Sequence, residues 1–291
     1  MKSKINIKAI IKLLRPKQWI KNSFVLAAII FSGNFTKTGV FAKNIAVMLM
    51  FCIASSCVYI LNDIIDVEKD RCHPKKKFRP IASGDVSVTL AVILGISLMV
   101  IVIIGTYKIN PIALVIIVAY LILNILYSFK LKHIIIIDVM VITLGFVLRI
   151  ECGSVVTDVS LSPWLILCTI LLSLFLALNK RKSEIIELDS KSASHRKILE
   201  EYSVDLIDRM LNLVTPSILI SYCLYTFSSV QSRSMMLTIP FIIYGIFRYE
   251  YLMTKNNAGG KPEDIFFKDK PFLINIVLWG LSILSIIYLT K

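Results

Sequence analysis

Charged side chains are scarce in this 291-residue chain: Asp, Glu, Lys and Arg make up 18% of it, against roughly 25% in a soluble domain. Hydrophobic residues fill 56%, and mean hydropathy is +0.76. A water-soluble globule has no interior large enough for that much apolar side chain. The same arithmetic excludes intrinsic disorder and a collagen-like repeat. The six cysteines, Cys52, Cys57, Cys72, Cys152, Cys168 and Cys223, form no CxxC pair and lie mostly in apolar runs. They read as small buried hydrophobes, which excludes a secreted disulfide scaffold. Cys72-His73 lacks a second half for a zinc site nearby. His73, His133 and His195 are loop residues outside any Ser/His/Asp or Cys/His constellation. There is no low-complexity tract, and no small-residue cleavage site follows a clean apolar core, so no cleavable signal peptide is expected. What is left is an all-α integral membrane protein in a single polytopic domain, 1–291.

Apolar runs of the length needed to cross a bilayer, roughly 17–25 residues, are expected near 23–41, 44–61, 86–106, 111–128, 134–153, 161–178, 211–230, 234–252 and 272–290. That makes a bundle of about nine transmembrane helices, with the first weakened by Gly33, Asn34 and Thr36. Ahead of it, Ile7, Ile10, Ile11 and Leu14 recur at helical spacing, with Lys8, Lys12 and Arg15 on the other face. Residues 1–22 therefore read as an amphipathic helix suited to an anionic leaflet.

The net charge is +14, from 33 Lys and Arg against 19 Asp and Glu. Of the 33, 27 fall in the N-terminal segment and the loops at one end of the expected bundle, five at the other end, and Arg149 within a span. The positive-inside rule puts the richer end in the cytoplasm, N-terminus included, in a multi-pass cell (plasma) membrane protein. The cytoplasmic loops would be 62–85, 129–138, 179–210 and 253–271. Seventeen of the 19 acidic residues share that face, which the positive-inside rule does not demand. Nucleic acid, as a partner, would explain the basic charge but not this acidic set, and none is expected.

The sharpest acidic cluster is Asn62-Asp63-Ile64-Ile65-Asp66-Val67-Glu68-Lys69-Asp70. On a continuing helix Asn62, Asp66 and Asp70 align at i, i+4 and i+8, with Asp63 on their edge. Stacked carboxylates repel one another, and a divalent cation such as Mg²⁺ resolves the conflict, keeping open positions for substrate phosphates. The competing reading is a solvated helix end partnered by Lys75, Lys76 and Lys77. Arg79, beside Pro80, offers a bidentate phosphate contact, and Ser83-Gly84 offers backbone N–H groups. Lys17, Lys21 and Asn22 open the first span at the same surface, where Lys21 and Asn22 can reach a phosphate, and Trp19 suits an interfacial belt. Asp138 lies about one turn into its span, where ionisable residues default to function, with pairing to Lys130 or Lys132 as the alternative. Arg149 either snorkels outward or pairs with a polar residue on another helix, a structural role being favoured. A faint echo, Leu61-Asn62-Asp63 against Leu178-Asn179-Lys180, hints at duplicated halves.

The run Arg15-Pro16-Lys17-Gln18-Trp19-Ile20-Lys21-Asn22, the motif Asn62-Asp63-x-x-Asp66-x-x-x-Asp70 and the segment Phe78-Arg79-Pro80-Ile81-Ala82-Ser83-Gly84 together resemble the UbiA superfamily of intramembrane transferases. The resemblance extends over nearly the whole chain. Tyr127, Lys132, Asp138, Gly145–Arg149, Lys180-Arg181-x-x-Glu184 and Gly260-x-Pro262-Glu263-Asp264 are similar to its polyprenyl-phosphate phosphoribosyltransferase branch. Most of the superfamily carries a second Asp motif after span 6. Here Asn179-Lys180-Arg181-Lys182-Ser183-Glu184 stands in that place, which suits a phosphate better than a second metal.

That resemblance implies 5-phosphoribosyl 1-diphosphate (PRPP) as donor and a polyprenyl phosphate such as decaprenyl phosphate as acceptor. The product would feed arabinan-type precursor synthesis for a cell envelope. Asp63, Asp66 and Asp70 would hold Mg²⁺, and Asn62 would orient a bound water or a diphosphate oxygen. Lys180 and Arg181, with Glu184 beside them, would meet phosphate. Tyr127 and Lys132 would meet either the 5-phosphate or the lipid phosphate. The alternatives are a prenyl-diphosphate transferase with an aromatic acceptor, disfavoured by the missing motif, and a cation-coupled transporter. Transport sites usually lie near the bilayer midplane, whereas these carboxylates lie at the surface. Homo-oligomer formation stays open.

Overall fold

The structure, a computed structural model, describes residues 6–73, 75–189, 198–228, 233–256 and 268–290. All regular elements among them are helical. They are α1 (Ile7–Leu14), a 3₁₀ segment (Pro16–Leu26) running into α2 (Ala27–Phe31), α3 (Thr38–Ile65), α4 (Val67–Cys72), α5 (Val88–Ile109), α6 (Pro111–Phe129) and α7 (Ile137–Thr157). Then come α8 (Pro163–Asp189), α9 (Ile198–Glu201), α10 (Val204–Ser228), a 3₁₀ segment (Arg233–Thr238) leading into α11 (Ile239–Asn256), and α12 (Lys270–Leu289).

Among the described residues seven helices are long and apolar enough to cross a membrane: α3, α5, α6, α7, α8, α10 and α12. The other two expected spans are built differently. Where the first was expected, at 23–41, a rod made of a 3₁₀ segment and a short α-helix covers Pro16–Phe31 and ends where Gly33 takes φ 71°. Eleven of its residues are 3₁₀. At roughly 2.0 Å per 3₁₀ residue and 1.5 Å per α residue its contour is about 30 Å. The eighth is the rod 233–256, whose last turns carry Arg248, Glu250 and Lys255.

Burial separates inner from outer helices. In α3 and α7, 56% and 50% of the apolar window is buried, against 11% in α5. α7 joins two cores. Its Val139 packs with Phe175, Ile207, Leu211 and Tyr249 of α8, α10 and α11. Its Cys152 packs with Val25, Phe51, Val102 and Ile117 of the first rod, α3, α5 and α6. The rod lies so close to α7 that a Cβ on Gly153 would stand 1.9 Å from the Val25 carbonyl oxygen. Gly153 is needed there for backbone-to-backbone contact. Arg149, one turn earlier, is almost fully buried. Its Nε donates to Asn22 Oδ1 (2.8 Å), Nη1 to the Gly145 carbonyl (2.7 Å) and Nη2 to Tyr120 Oη (3.0 Å). It also lies over the rings of Phe51, Tyr120 and Phe146. Of the two options for Arg149, pairing on another helix is the one observed.

Several expectations shift here. α1 turns Ala9 and Leu13 inward, with Ile10 and Leu14 partly covered, and leaves Ile7 and Ile11 exposed. Trp19 is half-buried and donates from Nε1 to Ser56 Oγ (3.1 Å), inside the fold rather than out to a belt. The expected loop 179–210 is largely helix: α8 runs on through Lys180, Arg181 and Glu184 because hydropathy ends at those charges but i→i−4 bonding does not.

Candidate active site: two arginine-bridged carboxylate centres

Helix α3 stops at Ile65, and Asp66 (φ −92°, ψ 9°) joins it to α4. The buried acidic pair is Asp63 and Asp70, seven residues apart. Across the break at Asp66, Arg79 brings these two together by bonding both. Asp66 stays partly exposed and Asn62 half-buried.

Cations close this centre. Arg15 Nη2 donates to Asp63 Oδ1 (2.5 Å). Arg79 Nη1 donates to Asp63 Oδ1 (3.1 Å) and to Asp70 Oδ2 (2.6 Å). Lys132 Nζ stands 3.8 Å from Asp66 Oδ2. Asp63 Oδ2 is buried with no hydrogen-bond partner among the described residues. Arg15 is the residue the charge pattern hid: it looked like one more cation on the polar face of α1. It sits at the helix C-cap with φ 52°, before Pro16, where helical geometry is disfavoured. The loop that brings Arg79 is tied to α1 by Lys12 Nζ, which donates to the Phe78 carbonyl (2.7 Å). Arg15, Arg79 and Lys132 thus supply ion pairs to this cluster. The Ser83 and Gly84 amides are used within their own turn, donating to the Arg79 and Ile81 carbonyls.

The second centre lies at the end of α8. Arg181, 1% exposed, donates from Nε to Asp138 Oδ2 (2.6 Å), from Nη1 to Glu184 Oε2, and from Nη2 to Tyr127 Oη (3.0 Å). Tyr202 Oη donates to Asp138 Oδ1 (2.7 Å). Burial and that bond to Asp138 push the Tyr202 phenol above its ordinary range, so it stays a donor. Lys180 Nζ is 4.0 Å from Glu184 Oε1, and Lys182 pairs with Asp208 (2.6 Å). Arg181 is therefore closed off by protein groups, and the expected open phosphate contact at that side chain is not what the structure holds.

The remaining candidates divide. Lys17 is exposed and Lys21 half-buried on the first rod. Asn22 is fully buried and faces inward: its Nδ2 donates to Ser55 Oγ (3.2 Å) and its Oδ1 accepts from Arg149. It braces the bundle instead of meeting a phosphate. Gly260, Pro262, Glu263, Asp264 and His195 lie outside the described residues. Among the described residues no three His, Cys, Asp or Glu side chains gather as a metal site. Asp63, Asp66 and Asp70 do not form a closed triad, because Arg79 stands between two of them. The donor set still suits a hard cation. Two carboxylates converge on one cationic nitrogen and one buried oxygen is unmatched, whereas Mg²⁺ usually takes one or two carboxylates plus substrate phosphates.

The sequence pattern of the UbiA prenyltransferase family matches residues 23–270. The chain belongs to that family. As a UbiA-family protein it is a multi-pass membrane protein. It is 33% identical to a decaprenyl-phosphate phosphoribosyltransferase of Mycolicibacterium smegmatis, over 97% of this chain and 93% of the relative. It is also 33% identical to a protein of that name from Corynebacterium glutamicum, over 96% and 86%. A solved UbiA homologue of Archaeoglobus fulgidus, bound to DMAPP and Mg²⁺, superposes with a TM-score of 0.73 at 17% identity, covering 96% of this chain and 98% of that one. A digeranylgeranylglyceryl phosphate synthase structure gives 0.69 at 20%, covering 97% and 98%. Those likenesses establish the UbiA-like fold.

Proposed function

We propose that the protein transfers 5-phosphoribose from PRPP to a polyprenyl phosphate, releasing diphosphate, at the cytoplasmic end of the bundle. The observation that carries this reading is the unequal closure of the two arginine–carboxylate centres. The end of α3 offers carboxylates held by partly exposed arginines, whereas at the end of α8 a buried arginine is enclosed by Asp138, Glu184 and Tyr127. One site for a metal-bound diphosphate is available, and a second is not. Relatives named decaprenyl-phosphate phosphoribosyltransferase, alike over nearly their whole length, support the same substrates.

Asp63 and Asp70, with Asp66 beside them, would hold Mg²⁺ when the donor binds. The ion, when bound, supplies neutralisation of the charge that develops on the departing diphosphate. Arg15 and Arg79, both partly exposed, exchange their carboxylate partners for diphosphate oxygens. Lys132, beside Asp66, takes a donor phosphate, and Asn62 orients an oxygen near Asp63. Lys17, Lys21 and Lys180 present charge for the lipid phosphate at the rim. The ribose centre gains oxocarbenium character as its bond to diphosphate loosens. The attacking lipid phosphate is already ionised near neutral pH, its second pKa being about 6. No general base is required.

The test offers purified protein with Mg²⁺ labelled PRPP and polyprenyl phosphate, and in parallel a labelled prenyl diphosphate with aromatic acceptors. Ribose label entering the organic phase, lost with EDTA and in Asp66→Ala, is the expected result. Label transfer in the prenyl arm alone would replace this reading with prenyl transfer.

A further inference from the structure

Tyr202 closes the second centre, and no sequence pattern marks it. It stands two residues before α10 and is 4% exposed. Its hydroxyl does two things at once. It donates to Asp138 Oδ1, and it accepts the Ile136 N–H at 2.8 Å. Ile136 has φ 67° and ψ −44°, and the Ile137 N–H returns to the Ile135 carbonyl at 2.7 Å. That is a γ-turn of positive φ, a rare and strained form. It falls on a β-branched residue, for which this backbone region is a genuine outlier. Ile136 is 46% exposed, so side-chain packing does not force the conformation. Strained backbone persists only where surrounding groups over-determine it. Here one phenolic oxygen ties the middle amide of the turn to the buried Asp138–Arg181 pair.

The segment that this turn terminates is the one that reaches the first centre. Leu131–His133 form a short 3₁₀ turn, and Lys132 Nζ stands 3.8 Å from Asp66 Oδ2. Three residues separate Lys132 from Ile136. The turn sets where that strap ends, and hence where Lys132 points.

We propose that Tyr202 is a positioning residue for the donor phosphate: by latching the γ-turn at Ile136 to the closed Asp138–Arg181 centre, it presents Lys132 to the Asp63–Asp70 centre. The inference rests on the proposed function insofar as the donor diphosphate binds there. The latch itself is a property of the chain. Relaxing it lets the strap take ordinary negative φ and withdraws Lys132, so donor binding weakens while acceptor binding does not.

The experiment uses the full-length protein in detergent, as wild type, Tyr202→Phe, Ile136→Gly and the double variant. Glycine takes positive φ without strain, so the turn then stands without the hydroxyl. Tyr202→Phe is expected to raise KM for PRPP about fivefold, with KM for the polyprenyl phosphate within about twofold and kcat changed less than KM. The double variant returns toward wild type. If Tyr202→Phe does not fold, Ile136→Pro removes the amide and sets φ near −65° with the Asp138–Arg181 pair untouched, and the same rise in KM is expected. A rise in both KM values, an unchanged KM for PRPP, or a double variant as impaired as Tyr202→Phe would overturn the proposal. Hydrogen exchange of the 131–138 segment needs no substrate. It is expected to be faster in Tyr202→Phe and restored in the double variant, and equal exchange in all forms refutes the latch. A wild type that ignores PRPP would instead refute the functional reading, leaving the exchange result to decide the latch.

Discussion

At the end of α3 one guanidinium, Arg79, lies between Asp63 and Asp70; at the end of α8 another, Arg181, lies between Asp138 and Glu184. The two arrangements share a plan and differ in closure. Arg15 and Arg79 keep about a quarter of their side-chain surface exposed, at 26% and 27%, and Asp63 Oδ2 has no partner among the described residues. Arg181 is shut in, both oxygens of Asp138 are bonded, and Tyr127 and Tyr202 complete the set. A partly exposed arginine can turn toward a phosphate, because water and the incoming anion offset what it gives up, and Arg15 and Arg79 share Asp63 between them. Arg181 cannot leave without stranding the fully buried Asp138. Solvent access and unmet hydrogen-bonding capacity, more than residue type, separate an exchangeable centre from a fixed one.

The comparison breaks most visibly at Arg181. Arg181→Met strands the fully buried Asp138 and is expected to destabilise by about 3–5 kcal/mol, read as lost folded yield and a lower unfolding temperature. Arg79→Met is expected to weigh more on function: Arg15 still pairs with Asp63, so the stability loss stays below that of Arg181→Met although buried Asp70 loses its bond, whereas turnover falls about 100-fold. Equal stability losses in the two variants would erase the distinction.

Gly153→Ala tests the helix common to both cores. The added methyl meets the Val25 carbonyl, and overpacking of this kind costs about 1–3 kcal/mol, measurable by thermal unfolding. Because the displaced rod begins beside Arg15, the surviving protein is expected to lose donor affinity while Arg181 and its partners keep their arrangement.

The smallest effect belongs to a third ion pair nearer solvent, Arg248 with Asp269 (2.8 Å). The hydrogen bond from Arg248 holds the Asp269 carboxyl below its ordinary value of 3.8. A carboxyl depressed in the folded state adds stability above its unfolded pKa and loses it as pH falls through the folded one. Asp269→Asn should therefore flatten the acid side of the stability–pH curve slightly and leave pH 7 turnover unchanged.

Much of this was legible beforehand, for identifiable reasons. Hydropathy placed the long helices because apolar length is read directly. The Asp-rich end of α3 stood out because repelling carboxylates need an external cause. The pairing within it is not legible: i+4 spacing on a continuing helix favours Asn62, Asp66 and Asp70, whereas the helix breaks at Asp66 and Arg79, from a distant loop, joins Asp63 to Asp70. The first rod was misplaced because 3₁₀ rise lets sixteen residues cover what twenty do in an α-helix. Arg15 was concealed among topology-setting cations, and the end of α8 was taken for loop because charge ends a hydropathy window. Tyr202 and the turn at Ile136 gave no signal at all. A positive φ on isoleucine is a consequence of tertiary contacts, not of local propensity.

The most direct test of the exchangeable first centre is equilibrium binding of labelled PRPP to the purified protein, with Mg²⁺ and with EDTA, alongside Asp63→Asn. Binding that requires Mg²⁺ and is lost in Asp63→Asn is the predicted result. Binding that survives both EDTA and the substitution would contradict the account.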